Sequence, residues 1–320
     1  MYARLTWLRL LPIAAMAAAA WAADPDYGGV GITDPLEPVD PGPPDWPRGL
    51  HVVGTQIQDS AGRVILLHGV NRSGTEYRCV QNGGFFDGPF DDAAVRAIKN
   101  WPNVNSVRVP LNESCWLGIN GVPEDYAGER YKTAIKNYVA RLHQHDLIPI
   151  LELHWVGPGT QLATRLQPMP DADHAPAFWN DVANTFLNDD GVVFEPYNEP
   201  FPDNNRDSDA AWACWRDGCT ATQYGPSMMG QPTMLGTYQA VGMQGIVDAI
   251  RATGSTHVIL LGGVRYSNAL TQWLAHKPND PLNTINPTGF PSKLFCAMVR
   301  ISSWTRGSSR IWARSDAATT

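Results

Sequence analysis

Residues 147–155 read Leu-Ile-Pro-Ile-Leu-Glu-Leu-His-Trp, an almost continuous apolar run that ends in polar and aromatic side chains. A strand that is buried on both faces has this uninterrupted pattern, whereas a half-exposed strand alternates apolar and polar residues. Such strands belong to parallel sheets that are covered by helices. We therefore expect residues 147–153 to form a central strand of a parallel sheet, with His154 and Trp155 at its end.

Further apolar runs on both sides of this strand alternate with stretches of helical periodicity. The predicted strands cover residues 64–67, 104–111, 147–153, 192–194 and 257–263, and the predicted helices cover residues 91–101, 131–143, 178–187 and 235–251. Repeated strand–helix units predict an α/β fold whose parallel sheet is either doubly wound or closed into a barrel. No glycine-rich dinucleotide loop follows the first strand, which favours the barrel.

Polar and aromatic side chains gather where the predicted strands end. In a (β/α)8 barrel the carboxyl ends of the strands form the active site. We therefore interpret these residues as one functional rim. They are His68 and Asn71 after the first strand, Arg108 in the second, His154 and Trp155 after the third, Asn198 and Glu199 after the fourth, and Tyr266 and Asn268 after the fifth.

The carboxylates of this rim suit the chemistry of glycoside hydrolysis. A glycosidic bond breaks when a carboxylic acid protonates the leaving oxygen while a second carboxylate attacks or activates water. Glu199 is the candidate acid, and Asn198 is placed to bind a sugar hydroxyl. We expect Glu152 and Glu195 to lie deeper and to pair with Arg108 or a histidine.

Two other kinds of catalytic site are less well supported. His143, His145 and Asp146 cluster in the sequence, as do Glu152 and His154, but no H-E-x-x-H or similar metal-ligand spacing occurs. No G-x-S-x-G nucleophile elbow occurs either. We therefore expect neither a catalytic metal nor another cofactor.

The composition limits the classes of function. The net charge of −7 argues against a nucleic-acid binder, which normally carries a basic surface. Beyond residue 25 no apolar run reaches the length of about 18 residues that a membrane span requires. The 12 tryptophans suit stacking on sugars, although large apolar cores also use tryptophan.

The amino-terminal residues predict secretion. Arg4 and Arg9 precede an apolar run over residues 10–20, and Ala20-Trp21-Ala22 forms a small-x-small cleavage site. We interpret residues 1–23 as a signal peptide, with a single membrane anchor as the alternative. Residues 24–47 contain seven prolines and predict an extended linker. The mature protein is then extracellular or periplasmic, without a membrane segment.

Several motifs in chain order resemble one known family. They are Leu-His-Gly-Val-Asn-Arg-Ser-Gly at 67–74, Val-Arg-Val-Pro-Leu-Asn-Glu at 107–113, Leu-Glu-Leu-His-Trp at 151–155 and Tyr-Asn-Glu-Pro at 197–200. Together they resemble glycoside hydrolase family 5, the clan A cellulases, and most closely secreted bacterial endo-β-1,4-glucanases. The resemblance runs from Arg48 to Asn283 and implies a retaining (β/α)8 barrel, expected to be a monomer that acts on a polysaccharide.

The resemblance also implies roles for individual residues. Glu199 corresponds to the acid/base, Asn198 to its sugar-binding neighbour, Arg108 to the residue that orients the nucleophile, and His154 to a residue lining the site. The candidate substrate-binding residues are Trp155 and Tyr266 as aromatic platforms, His68 and Asn268 at the rim, and Glu76 and Tyr77 near a distal subsite. The implied reaction is double displacement on a β-1,4-glucan; the alternatives are a non-catalytic glucan-binding barrel and a mannanase or xyloglucanase.

The sequence departs from the family pattern in two places. Pro196 falls within the predicted fourth strand, where proline cannot donate to the ladder. After Asn283 the chain no longer resembles the family: the motifs His-x-Tyr and Gly-Glu-Phe/Ile-Gly are missing, and the last glutamate is Glu199. The second motif carries the family's nucleophile. The sequence therefore contains no candidate nucleophile, and we expect the 320-residue chain to be inactive.

Residues 284–320 differ in composition from the preceding chain. They contain five basic residues and one acidic residue and are rich in serine and arginine. An out-of-frame reading of GC-rich DNA produces such a segment, and a genuine basic tail is the alternative. We therefore expect a partial catalytic domain over residues 48–283, with about five to six strand–helix units in an open barrel.

The cysteines predict two disulfide bonds if the protein reaches an oxidising compartment. Cys214 and Cys219 are five residues apart, and Cys79 and Cys115 follow the first two strands on the same rim. We predict the bridges Cys79–Cys115 and Cys214–Cys219, although spacing alone leaves other connectivities open. Cys296 is left over.

The position of the mature amino terminus tests the signal peptide. We expect it near Ala23 or Asp24, because small residues at Ala20 and Ala22 mark the cleavage site. Amino-terminal sequencing of secreted protein measures it, and a retained Met1 would contradict the interpretation.

Overall fold

The computed structural model describes residues 34–40, 47–228 and 231–287. The predicted signal peptide, most of the predicted linker, and the chain from residue 288 onward, including Cys296, lie outside the described residues. Elements are therefore numbered over the described part of the chain.

Eleven strands and nine helices make up the described structure. The strands are β1 (His51–Val53), β2 (Gln56–Gln58), β3 (Val64–Ile65), β4 (Gly69–Asn71), β5 (Ser106–Asn112), β6 (Ile148–Trp155), β7 (Val193–Glu195), β8 (Cys219–Met228), β9 (Gln231–Ala240), β10 (Ile259–Leu261) and β11 (Ile285–Pro287). The helices are α1 (Asp92–Lys99), α2 (Glu113–Leu117), α3 (Glu129–His143), α4 (Ala175–Thr185), α5 (Pro202–Asn205), α6 (Asp209–Asp217), α7 (Met243–Arg251), α8 (Val264–Ser267) and α9 (Trp273–His276).

A parallel sheet of six strands forms the centre of the structure, in the order β4-β5-β6-β7-β10-β11. Helices connect the successive strands, so the prediction of an α/β fold with five to six units of a (β/α)8 barrel is confirmed. Within the described residues β4 and β11 are the two edges of this sheet and do not pair with each other.

The two faces of the sheet have different chemistry. Leu151 and Leu153 of β6 face the helices and belong to the large core cluster, whereas Ile148 and Ile150 belong to a second, smaller cluster. Because side chains alternate along a strand, Glu152 shares the face of Ile148 and Ile150. The inner face is thus apolar near the amino ends of the strands and ionic near their carboxyl ends.

The helices form where the sequence predicts amphipathic periodicity. Helix α1 begins after Asp91, whose side chain accepts a hydrogen bond from the Ala94 amide, and it buries Val95 and Ile98. Helix α3 buries an apolar stripe at three- and four-residue spacing. Its members are Tyr131, Ala134, Ile135, Tyr138, Val139 and Leu142.

The amino-terminal strands do not belong to the main sheet. β1, β2 and β3 form a separate antiparallel sheet, and Ile57 of β2 packs into the inner-face cluster together with Leu50, which precedes β1. The prediction that Val64–Leu67 is the first barrel strand is therefore wrong: residues 64–65 pair with β2, and the first strand of the parallel sheet is β4. The short β3 closes the apolar end of the inner face instead.

Two other details of the sequence interpretation are corrected. The helix predicted over residues 235–251 begins only at Met243, because residues up to Ala240 pair with β8 in a long antiparallel hairpin. Pro196 does not interrupt a strand, since β7 ends at Glu195. Its carbonyl accepts a hydrogen bond from the indole N–H of Trp179 at 3.0 Å.

Residues 34–40, within the predicted linker, lie against α3. The Asn137 side chain donates to the Pro35 carbonyl at 2.9 Å, and Gln144 donates to the Asp40 carbonyl. Leu36 packs against the large core cluster. Among the described residues, no helix is both long and apolar enough to cross a bilayer.

Both predicted disulfide bonds are present. Cys79 and Cys115 join the segments that follow β4 and β5, with Cα atoms 6.3 Å apart. Cys214 and Cys219 join the end of α6 to the start of β8, with Cα atoms 5.0 Å apart. Each bridge therefore ties neighbouring segments at the carboxyl edge of the sheet.

The two bridges should differ in their contribution to stability. Their sequence separations are 36 and 5 residues, so the loop-entropy model gives about 4 kcal/mol for Cys79–Cys115 and about 2 kcal/mol for Cys214–Cys219. Urea unfolding of Cys79→Ala/Cys115→Ala and Cys214→Ala/Cys219→Ala measures the difference. Equal losses in the two double variants would contradict the prediction.

Candidate active site

An ionic network around Arg108 occupies the inner face of the sheet at its carboxyl edge. The Arg108 guanidinium donates through Nε to Glu195 Oε2 at 2.6 Å and through Nη2 to Glu195 Oε1 at 3.0 Å. The same Nη2 donates to Asn198 Oδ1 at 2.9 Å. Arg108 Nη1 lies 3.2 Å from Glu152 Oε1 and 3.4 Å from Asn71 Oδ1. One side chain from β5 thereby orders groups from β4, β6 and β7.

Strand geometry explains why these charges meet. Parallel pairing sets Arg108 beside Ile150 and Glu152 beside Glu195, and all the carboxyl ends meet at one edge. Burial opposes the charge on Arg108, but Glu152 and Glu195 raise its pKa, so it remains a cation. The expected pairing of the two deeper carboxylates with Arg108 or a histidine is confirmed.

His154 is held by Glu152 on the same strand. Its Nδ1 lies 2.6 Å from Glu152 Oε1, and the two side chains share the inner face. Burial lowers the pKa of His154, but the charge and hydrogen bond of Glu152 raise it by more, so the pKa of His154 lies above its ordinary value. The ring is therefore a partly exposed proton donor at the edge of the network.

Glu199 stands at the solvent side of this network. Its half-buried carboxyl group accepts no hydrogen bond from the described residues, unlike those of Glu152 and Glu195. Burial raises the pKa of Glu199, and the charges of His154 and Arg108 only partly offset the effect. A carboxyl group with a raised pKa retains its proton at higher pH, as a general acid must.

Aromatic side chains lie on either side of Glu199. Strand β7, which leads to Glu199, pairs with β6 on one side and β10 on the other. Trp155 ends β6, with its ring centroid 6.3 Å from that of Tyr77. Tyr266 follows β10, and its ring lies 4.8 Å from that of Phe201. Glu199 therefore lies between two neighbouring strands that each lead to an aromatic side chain.

A left-handed turn brings Tyr266 to this place. Arg265, Tyr266 and Ser267 have φ values of 58°, 56° and 59°, a conformation that costs free energy for residues with a side chain. The Tyr266 amide donates to the Pro200 carbonyl at 2.9 Å, and Ser267 Oγ donates to the Asn198 carbonyl at 3.0 Å. Both bonds tie the turn to the segment that carries Glu199.

The comparison with known proteins identifies the family. A family model described as Cellulase (glycosyl hydrolase family 5) matches residues 69–288, more than half of the chain. The chain belongs to glycosyl hydrolase family 5. No curated protein matches it.

Two solved structures are similar to this chain. A β-glucanase, SdGluc5_26A from Saccharophagus degradans in complex with cellotetraose, is 18% identical, with a TM-score of 0.51; the match covers 78% of this chain and 64% of that one. The catalytic domain of a mannanase from Streptomyces sp. SirexAA-E is 17% identical, with a TM-score of 0.47, over 75% of this chain and 60% of that one. The chain thus spans less than two thirds of the length of these structures.

Two residues that the sequence placed on the rim of this glycosyl hydrolase have other positions or contacts. One lies at the opposite edge of the sheet, and the other hydrogen-bonds within the turn that contains Tyr266. His68 precedes β4 instead of following a strand, and its backbone pairs with Asn105 at the amino edge, so the expected place of His68 on the carboxyl rim is corrected. The Asn268 side chain donates to the carbonyls of Arg265 and Tyr266, at 3.0 and 2.9 Å. Asn268 therefore stabilises the turn that presents Tyr266.

Glu76 lies beside the ionic network. The residue is 6% exposed, and its Oε2 accepts a hydrogen bond from the Gly74 amide at 2.6 Å. Burial raises the pKa of Glu76, while the charge of His154 opposes the shift. The neighbouring Tyr77 hydroxyl donates to Asp87. Glu76 is therefore a buried carboxyl group on which the charge of His154 acts.

The histidines of the rejected metal cluster have separate partners. His143 Nε2 lies 3.1 Å from Asp189, and His145 Nε2 lies 2.5 Å from Asp92. Over the described ranges, no group of three or more His, Cys, Asp or Glu is arranged to hold a metal ion.

Sequence reasoning missed the contribution of the β8–β9 hairpin. Tyr224 of β8 lies near Phe201, with ring centroids 6.3 Å apart, and both line a cavity of about 230 Å³. The Gln167 side chain holds the Tyr224 backbone through two hydrogen bonds, of 2.7 and 2.9 Å. The only sequence signal was the strand-forming run before residue 240, which the helical interpretation of residues 235–251 concealed.

Removing the Arg108 charge should strongly destabilise the protein. The change Arg108→Met leaves Glu195 and Glu152 buried without their cation, which costs about 3–5 kcal/mol. The control Arg96→Met breaks an exposed ion pair with Asp92 and should cost less than about 1 kcal/mol. Urea unfolding compares the two, and similar losses would contradict the role given to Arg108.

The histidines at the carboxyl and amino edges of the sheet should titrate at different pH values. We expect His154 to titrate above the ordinary value of about 6.5, and Glu152→Gln to lower its midpoint because the carboxylate charge is lost. His257, whose pKa is lowered by burial, serves as the reference in the same NMR spectra. A His154 midpoint below that of His257 would refute the assignment.

Proposed function

We propose that this family 5 chain binds β-1,4-glucan and carries the acid/base of the retaining reaction. The observation that carries the proposal is the half-buried Glu199 carboxyl group next to the buried Arg108–Asn198 pair, a place where burial raises the pKa of Glu199. Glu199 protonates the glycosidic oxygen in the first step and then, as a carboxylate, activates water in the second. The raised pKa supports the first step, because it keeps the acid protonated.

Asn198 is oriented to bind the sugar. Because its Oδ1 accepts the hydrogen bond from Arg108, the two N–H donors of the same amide are left for sugar hydroxyl groups. Arg108 can also orient a second carboxylate, and His154 lines the edge of the site as a donor. Trp155 and Tyr266 provide stacking platforms on either side of Glu199, and Glu76 and Tyr77 shape the end near Trp155.

Turnover by the retaining mechanism requires a second carboxylate, the nucleophile, in addition to Glu199. A retaining enzyme places its nucleophile about 5–5.5 Å from the acid/base. Glu152 and Glu195 are held by Arg108 and His154, and no glutamate follows Glu199 in the sequence. We propose that the 320-residue chain binds glucan without turning it over.

The proposal includes the compartment. Two disulfide bonds fit an oxidising environment, so we place the protein outside the cytoplasm, with residues 1–23 as its signal peptide and residues 24–47 as its linker. The choice between glucan, mannan and xyloglucan depends on loop side chains. A binding test of this chain therefore needs all three polysaccharides.

Binding and hydrolysis should separate in this chain. We expect retention on a native affinity gel that contains soluble β-1,4-glucan, weaker retention on mannan or xyloglucan, and no release of reducing ends from any of them. Hydrolysis by the 320-residue chain would contradict the proposal that it lacks a nucleophile. Absence of retention on every gel would contradict the proposed function.

A matched pair of variants makes the binding test specific. Trp155→Ala should abolish retention, because the indole face on which a sugar ring stacks is lost. Trp101→Ala removes a tryptophan that is 37% exposed and lies between α1 and β5, at the opposite edge of the sheet, and should leave retention unchanged. In a longer chain that also carries the nucleophilic glutamate, Glu199→Gln should remove nearly all turnover and preserve binding.

A further inference from the structure

Two buried carboxyl groups outside the Arg108 network face each other. Glu113, the first residue of α2, and Asp171, in the loop after β6, are both 0% exposed and lie in hydrogen-bonding contact. Glu113 Oε2 accepts from the Gly157 amide at 2.9 Å, and Asp171 Oδ1 accepts from the His174 amide at 2.7 Å. The other oxygens, Oε1 of Glu113 and Oδ2 of Asp171, are buried without a donor among the described residues.

This arrangement is not possible for two carboxylates. Ionised carboxylates only accept hydrogen bonds, and two like charges in a dry site repel each other strongly. Within the described residues, neither carboxyl forms an ion pair with lysine or arginine. One proton between the two groups provides the missing donor and removes one of the charges.

We propose that Glu113 and Asp171 share a single proton, with Glu113 as the acid that donates to Asp171. Each carboxyl accepts one backbone N–H, Glu113 from Gly157 and Asp171 from His174, but the His174 side chain also acts on Asp171 and favours a carboxylate there. Burial raises the pKa of Glu113 well above its ordinary value, and the charge of Asp171 adds to the shift. Burial raises the pKa of Asp171 as well, but its hydrogen bond with Glu113 opposes the shift.

The other titratable groups around the pair do not supply a fixed cation. Asp173 adds a negative charge beside both carboxyls, and His174 acts on Asp171 alone. Tyr197 and Tyr238 face the pair from the segment after β7 and from β9, and burial raises the pKa of both hydroxyls, so they stay neutral. Each of these tyrosines is engaged elsewhere: its hydroxyl donates to the carbonyl of Gln167 or Met169 at 2.6 Å.

The shared proton joins three segments of the rim. Glu113 belongs to α2, which the Cys79–Cys115 bridge anchors, and its Oε2 holds Gly157, two residues after Trp155. Asp171 forms an isolated bridge with Ala240, at the base of the β8–β9 hairpin. Glu113 and Asp171 are therefore positioning residues for the loop that follows Trp155.

The proton makes stability depend on pH in a defined direction. Above about pH 4.3 the unfolded chain has released the Glu113 proton, whereas the folded chain keeps it. The folded state then binds one more proton, so stability falls as pH rises until the folded pair titrates. The contribution is fully present below the unfolded pKa and is lost above it.

The test follows the unfolding free energy of the whole chain between mildly acidic and mildly alkaline pH. Glu113→Gln replaces the acid by an amide that can donate to Asp171 without a titrating proton, so its pH slope should be smaller than that of the wild type by about one proton. Glu124→Gln, at an exposed glutamate, is the control and should keep the wild-type slope. A wild-type slope in Glu113→Gln would overturn the proposal.

A second measurement does not depend on how well that variant folds. Infrared difference spectra of the wild-type chain near neutral pH should contain the C=O stretch of a protonated carboxylic acid, which Asp171→Asn should shift and Glu113→Gln should remove. A spectrum without such a band, or a band unchanged in both variants, would also overturn the proposal. Neither measurement requires glycan, so the outcome is independent of the proposed function.

Discussion

The bidentate ion pair between Arg108 and Glu195 is the interaction on which the site depends. It fixes the guanidinium plane, and the same nitrogen that binds Glu195 then orients the Asn198 amide next to Glu199. Planar bidentate contacts specify direction as well as energy, which a lysine could not do. The position of Asn198, the neighbour of the proposed acid/base, therefore follows from a pair formed between β5 and β7.

This ion pair is possible because the inner face of the sheet is layered. Ile148 and Ile150 belong to an apolar cluster that the amino-terminal antiparallel sheet helps to cover, and Glu152 follows two residues later on the same face. Buried charges persist only when they are paired and hydrogen-bonded. The strands thus provide a dry base for the charges and an open edge where Glu199 reaches solvent.

Local patterns in the sequence predicted much of the fold, whereas contacts distant in sequence were harder to predict. The strand at residues 147–155 and helix α3 were predicted because burial and amphipathic periodicity are properties of neighbouring residues. His68 was misplaced because β3 and β4 are separated by only three residues, and the apolar run before His68 looked like the barrel strand. The place of Tyr224 beside Phe201 and the Glu113–Asp171 contact were not predicted, since each depends on two segments that are far apart in the chain.

A crystal structure of the 320-residue chain with a bound cello-oligosaccharide would test the central claim most directly. The account predicts a glycosidic oxygen within hydrogen-bonding distance of the Glu199 carboxyl group, with sugar rings over Trp155 and Tyr266 and a hydroxyl at Asn198. An oligosaccharide bound away from Glu199, or one whose hydroxyl groups contact Arg108 with Glu195 displaced, would contradict it.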